Sequence, residues 1–159
     1  MTWRRLKRWQ EEGVWTRIWQ AFLSSLDEEG KLEWSRAFLD GSFVLAKRGE
    51  EVGLTEVGKG TKRMLVVDGN GIPLAPSISR VGRTDVGLAQ ETLERVPRRS
   101  CKGRRKWADE YKKRWRVERT FAWLDNFRRL VVRWERLAMM YEAFCILACI
   151  IICLRELLK

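Results

Sequence analysis

The segment from Arg63 to Ser79 most constrains what this chain can fold into. Two strand-like runs, MLVVD and IPLAPSIS, flank Asp68-Gly69-Asn70-Gly71. Glycine and asparagine tolerate the backbone angles of a tight reversal, so the segment reads as a β-hairpin. Around it the pattern is mostly helical. Residues 3–26 carry an apolar stripe of Ile18, Trp19, Phe22, Leu23 and Leu26, divided into two short helices by Gly13 and ended by Asp27-Glu28-Glu29-Gly30. WSRAFLDGS reads as a short strand running into Asp40-Gly41-Ser42. The Gly-rich, charged stretch from Lys47 to Lys62 reads as an exposed loop.

After Gly82-Arg83-Thr84 a helix is expected from Asp85 to Val96, with Asp85 as N-cap and Leu88, Leu93 and Val96 facing inward. PRRSCKGRRKW then forms a basic linker. A long helix is predicted from Ala108 to Leu137, with Val117, Phe121, Leu124 and Val131 on one stripe and Phe127, Leu130 and Trp134 beside it. A last helix runs from Met139 to Leu157. The order is an α+β or α/β layout with a small sheet.

Composition narrows the chemistry. The 159 residues suffice for one modest domain, and 45% hydrophobic content excludes disorder for most of it. Lys and Arg number 32 against 21 Asp and Glu, a formal charge of +11. That excess favours a polyanion, nucleic acid first and an anionic membrane second. Nine tryptophans add stacking surface, although most are expected in the core or at helix interfaces. The absence of histidine excludes a Ser-His-Asp triad, a Cys-His dyad and any His-ligated zinc. Cys145, Cys149 and Cys153 recur at i, i+4 and i+8 in an apolar helix, which suits small core thiols in a reducing cytosol and not a metal motif. That apolar run is short for a membrane span, and Glu142 and Arg155 bracket it. The N-terminus lacks a signal-peptide core, so a cytoplasmic location is expected.

The richest segment chemically is YKKRWRVERTFAWLDNFRRLVVRWER, from Tyr111 to Arg136. Tyr111, Arg114 and Glu118 lie at i, i+3 and i+7 and share one helical face. A lone carboxylate on a basic face suits metal-assisted work on phosphate backbones, which needs several carboxylates converging on ions roughly 3.5–4 Å apart. Asp40 on a strand and Glu118 on a packed helix suit two such roles. Taken singly, the plainer readings carry more weight: a turn residue for Asp40, and a surface acid paired with Arg114 for Glu118. Lys47, Arg48, Lys59, Lys62 and Arg63 read equally as DNA-phosphate contacts or as a solvated loop. Gly58-Lys59-Gly60-Thr61-Lys62 lacks P-loop spacing, and Asp68 reads as a turn residue.

The wider text alters that weighting. Tyr111-x2-Arg114-x3-Glu118, followed by RTFAWLDNFRRLVVRWER, closely resembles the C-terminal signature of bacterial insertion-sequence DDE transposases. WSRAFLDGSFVLAKRGEEVG is similar to that family's first-Asp segment, and VGKGTKRMLVVDGNGIPLAPSIS to its following strand pair. AQETLERV and YEAFCILACIIICLR resemble its later helices, in family order. The resemblance implies an α/β ribonuclease-H-like core, truncated, with a small mixed sheet, flanking helices and two long C-terminal helices. It implies Mg²⁺ or Mn²⁺ as cofactor, held by Asp40 and Glu118. Tyr111 and Arg114 would support the site and the DNA backbone. Lys47, Arg48, Lys59, Lys62, Arg104, Arg105, Arg128 and Arg129 would meet DNA. The position that is often Lys in the wider signature is Asp125 here.

One departure matters. The family's second catalytic Asp, with its strand, has no counterpart between Val96 and Tyr111, where PRRSCKGRRKWADE stands. Asp109 is a poor substitute, since it would lie about 13 Å along the helix from Glu118. The resemblance therefore implies residues 1–30 as the helical end of an N-terminal DNA-binding region, and 31–159 as a transposase core with an internal deletion around 97–110. Two functions follow: a DDE transposase acting on insertion-sequence terminal repeats and target DNA, impaired by loss of the second Asp, or a non-catalytic DNA-binding remnant that co-assembles with an intact transposase or with itself. A lost strand would leave a sheet edge open, or filled by a partner chain. A membrane-surface protein is the third and least supported class.

Overall fold

A computed structural model describes residues 2–97 and 115–159. Its sheet is built from β1 (Ala37–Ala46), β2 (Gly53–Thr55), β3 (Gly58–Asp68), β4 (Pro73–Arg80) and β5 (Val132–Arg133). β3 is central. It runs antiparallel to β1 from Asp68 opposite Ala37 to Gly60 opposite Leu45. On its other edge it pairs antiparallel with β4 and, further along, with β2. β5 is parallel to β1 and touches it at Leu45 and Ala46. The sheet is therefore mixed. Among the described residues, no strand pairs that edge of β1 from Ala37 to Val44.

Helices cover both faces, which is why Met64 to Val67 of β3 form an unbroken buried apolar run and not an alternating one. α3 (Asp85–Glu94) lies on one face, where Thr92 Oγ1 and Ser77 Oγ are 2.7 Å apart. α4 (Trp115–Asp125) lies over β1 and β3 on the other, and α6 (Ala138–Leu157) over β4. α2 (Val14–Glu28) packs on α6, with α1 (Thr2–Glu11) beside them. Trp19, Leu23 and Leu26 of α2 meet the Cys145, Cys149 and Cys153 face of α6 in one core. Each fully buried large apolar side chain contributes about 1.5–3 kcal/mol to holding these layers together. Gly13 takes φ 68°, a left-handed turn that divides α1 from α2. Lys31 Nζ donates to the carbonyls of Glu156 and Leu157 and so caps the C-terminus of α6.

The hairpin, the divided N-terminal helix, the final helix and the three core thiols match expectation. Four elements differ. β1 does not end at Asp40-Gly41-Ser42; pairing with β3 carries it through to Ala46. The expected loop from Lys47 to Lys62 contains β2 and the start of β3, because Gly60 packs against the Phe43 ring where any side chain would collide. The N-cap of α3 is Thr84, not Asp85. The expected long helix stops at Asp125; after a break come α5 (Arg128–Val131) and β5, which β1 draws into the sheet. Val131 and Trp134, assigned to apolar stripes, are 50% and 58% exposed as a result. α6 is longer than its apolar run suggested, and it is long and apolar enough to cross a membrane by length and composition. Half of its most apolar stretch is buried within this fold, as in a core helix.

Candidate nucleic-acid site

The strand alternation and the helix over it fix where the two candidate carboxylates sit. Asp40 lies between Phe38 and Val44 on β1 and shares their face, opposite Leu65 of β3. That face also carries Arg63, which reaches α4: its Nη2 donates to Asp125 Oδ1 at 2.9 Å, and its guanidinium lies 5.0 Å from the Phe121 ring. Asp40 is half-buried, and its Oδ1 accepts the Gly41 N–H at 2.8 Å. Glu118 stands in the first turn of α4 and is exposed. Asp40 and Glu118 thus belong to elements packed on the same side of the sheet, and neither carboxylate lacks partners. Among the described residues no three His, Cys, Asp or Glu side chains come together as a metal site. The described donor set therefore does not fit a complete two-metal centre.

Tyr111, Arg114, Arg104, Arg105 and Asp109 lie outside the described residues. Lys47, Arg48, Lys59, Arg128 and Arg129 are exposed, while Lys62 is half-buried in β3. Lys47 Nζ lies 5.5 Å from the Trp134 ring centre. Arg63 corrects the sequence reading: at 1% exposure it is not a DNA contact but the buried partner of Asp125. Asp125, where the resemblance would lead one to expect Lys, is faced by an arginine from β3. The signal was present, as an arginine alternating inward beside Leu65, but a charged residue is expected outside.

Asp68 is structural. Its carboxylate accepts backbone N–H groups from Glu33, Asn70 and Ile72 at 2.8, 2.9 and 2.6 Å and so closes the hairpin turn. Burial pushes it up to about 6 against the lowering effect of those hydrogen bonds. Sequence reasoning missed the turn after β5. There Arg133 is fully buried; its Nε donates to Glu135 O at 3.1 Å, its Nη1 to Thr61 Oγ1 at 2.7 Å and its Nη2 to Arg136 O at 3.3 Å. Burial lowers its pKa, and Glu135 opposes that shift. Gly49, at φ 128°, packs against the Arg136 backbone with no room for a side chain.

Comparison with known proteins speaks to this arrangement of sheet, α4 and α6. The family described as "Transposase DDE domain" matches residues 110–153, which take in α4, α5, β5 and most of α6. A Burkholderia cepacia protein, "Putative transposase for insertion sequence element IS402", is 31% identical over 132 residues, covering 59% of this chain and 63% of the relative. The "Insertion element IS402 uncharacterized 16.2 kDa protein" of the same organism is 39% identical over 54 residues, covering 33% of this chain and 37% of the relative. The chain spans less than two thirds of the length of either relative. The first alignment is 132 positions long yet takes in only 59% of 159 residues, so positions of the relative stand opposite gaps in this chain. No solved structure matches. These findings make the chain similar to insertion-sequence DDE transposases over the matched residues.

Proposed function

We propose that this protein is a DDE-type transposase that binds insertion-sequence ends and target DNA, with phosphodiester cleavage and strand transfer impaired by an incomplete carboxylate set. The observation that carries this reading is the pairing of β1. Asp40 lies on β1 and Glu118 on α4, which packs over β1, but among the described residues no strand pairs the β1 edge beside Asp40, and the two-residue β5 meets that edge only at Leu45 and Ala46. A parallel neighbour strand there is where the family's second Asp would be expected. The mixed sheet with helices on both faces is compatible with a ribonuclease-H-like core. An internal deletion would lie around residues 97–110, where the sequence lacks a counterpart of the second-Asp segment, and α1 and α2 would be the retained end of a DNA-binding region.

In this reading Lys47, Arg48, Lys59, Arg128 and Arg129 hold phosphates from the surface, with Lys62, Arg104 and Arg105 adding to them. Asp40 and Glu118 are two of the three metal ligands, and Tyr111 and Arg114 support Glu118 and the DNA. Mg²⁺ or Mn²⁺ would supply activation of water and of a 3′-hydroxyl in a complete site. The described residues leave that site short of a ligand. Action on chromosomal DNA makes the location cytoplasmic and nucleoid-associated.

The same β1 edge favours a second reading, a non-catalytic DNA-binding remnant that co-assembles with an intact transposase or a second copy. Incubation with duplex insertion-sequence ends and Mg²⁺ or Mn²⁺ separates the two. The impaired enzyme gives slow, metal-dependent nicking that Asp40→Ala removes; the remnant binds without nicking. Failure to bind DNA at all defeats both.

A further inference from the structure

Beside the turn after β5 lies a cleft of about 280 Å³, of whose lining only Arg129 has a role above. Its walls include Trp3 of α1, Arg129 of α5, and Trp134, Glu135 and Arg136 of the turn. A volume near ~300 Å³ is at the small end of ligand sites. The two indoles are unusual for a soluble surface, since Trp3 is 55% and Trp134 58% exposed. Lys47 Nζ lies 5.5 Å from the Trp134 ring centre.

Glu135 gives the cleft its chemistry. It is 9% exposed, a carboxylate that burial disfavours unless it is partnered. Its Oε2 accepts the Trp134 N–H at 3.2 Å. Its Oε1 lies 2.9 Å from Arg129 Nε, close enough for charge attraction, yet receives no aligned hydrogen bond. A buried acceptor is thus left with a lone pair to give. The floor is rigid, because Arg133 pins the carbonyls of Glu135 and Arg136, and the Glu50 N–H donates to Arg136 O at 2.8 Å.

Flat indole surface, a buried hydrogen-bond acceptor and flanking cations together match one ligand class. We infer that this cleft takes one nucleotide of single-stranded DNA. The base lies against Trp134 and Trp3, its exocyclic amino group donates to Glu135 Oε1, and the adjoining phosphate meets Arg136 and Arg129. Stacking is tolerant of base identity, but the acceptor is not. Cytosine, adenine and guanine carry an amino donor at the edge of the ring, whereas thymine's one edge donor, N3–H, lies between two carbonyls that repel the carboxylate. Paired bases in a duplex have these edges engaged and their faces stacked, so the duplex does not use the cleft. This inference rests on the DNA-handling reading above and adds a strand-type and base preference to it.

The test is fluorescence anisotropy of the full chain with labelled short dC and dT homopolymers and with duplex DNA. Wild type binds dC more tightly than dT. Trp134→Ala, which changes no charge, weakens dC binding ~10-fold, the scale of one lost stacked base, and leaves duplex affinity unchanged. Glu135→Gln abolishes the dC-over-dT preference, since an amide offers both a donor and an acceptor. Trp134 is a surface residue, so retained duplex binding also reports that the variant is folded. The inference is overturned if Trp134→Ala leaves dC binding intact, if it weakens single strand and duplex equally, or if wild type shows no preference between dC and dT. A wild type that binds neither single strand nor duplex removes the DNA-handling reading itself, and this inference with it.

Discussion

The Arg63–Asp125 pair offers the sharpest test of how the sheet holds the helix that carries Glu118. Arg63 is 1% exposed, and its Nε and Nη1 have no hydrogen-bond partner. Its charge is compensated chiefly by Asp125, at 2.9 Å, and by the Phe121 ring. Asp125→Ala leaves a guanidinium buried and unpaired. Breaking a fully buried pair costs about 3–5 kcal/mol. Asp125 itself is 49% exposed, so water screens part of the attraction, and a loss of about 2 kcal/mol is expected. Urea denaturation followed by circular dichroism measures it. Arg63→Met removes the charge but keeps an aliphatic stem over Phe121, so adding it to Asp125→Ala should recover about 1 kcal/mol or more. If Asp125→Ala unfolds within about 0.5 kcal/mol of wild type, and Arg63→Met gives no recovery, the pair does not anchor α4.

Three further outcomes follow from charge, burial and hydrogen bonding. DNA affinity should fall more than ~10-fold between about 50 and 200 mM salt; an affinity independent of salt would remove the phosphate-contact reading of the basic residues. Burial pushes the Asp68 carboxyl up to about 6 from its ordinary value of 3.8, so folding favours its protonated form. That contribution is full below about pH 4 and is lost as pH rises through about 6; Asp68→Asn should remove this part of the pH dependence, and an unchanged profile would refute it. The Cys145 and Cys153 thiols are buried and pushed up to about 12, with Cys149 also raised, so a thiol reagent should label none of the three in the native state, and rapid labelling would show the α6 packing to be wrong.

Much of the fold was legible because local chemistry agreed with it. The Asp68-Gly69-Asn70-Gly71 reversal, the left-handed Gly13 and the i, i+4, i+8 cysteines each carry their own signal. What was hidden depended on distant partners. Asp40-Gly41-Ser42 has turn composition, and its pairing with Leu65, Met64 and Arg63 makes it strand. Val132 and Arg133 continue a helical pattern in sequence but join β1 instead. Of the candidate site, the placement of Asp40 and Glu118 on opposed elements was readable. The burial of Arg63 and the pinned turn behind Trp134 were not, since both rest on charges satisfied by residues far along the chain, at Asp125 and Thr61.

The central claim is that Asp40 on β1 and Glu118 on α4, the helix packed over β1, have no third metal ligand beside them among the described residues. Mn²⁺ binding to the purified chain, followed by the loss of the free-ion electron paramagnetic resonance signal, tests it most directly. The account predicts weak, sub-stoichiometric Mn²⁺ binding that Asp40→Ala or Glu118→Ala lowers further. Tight, stoichiometric Mn²⁺ binding that both substitutions abolish would contradict it.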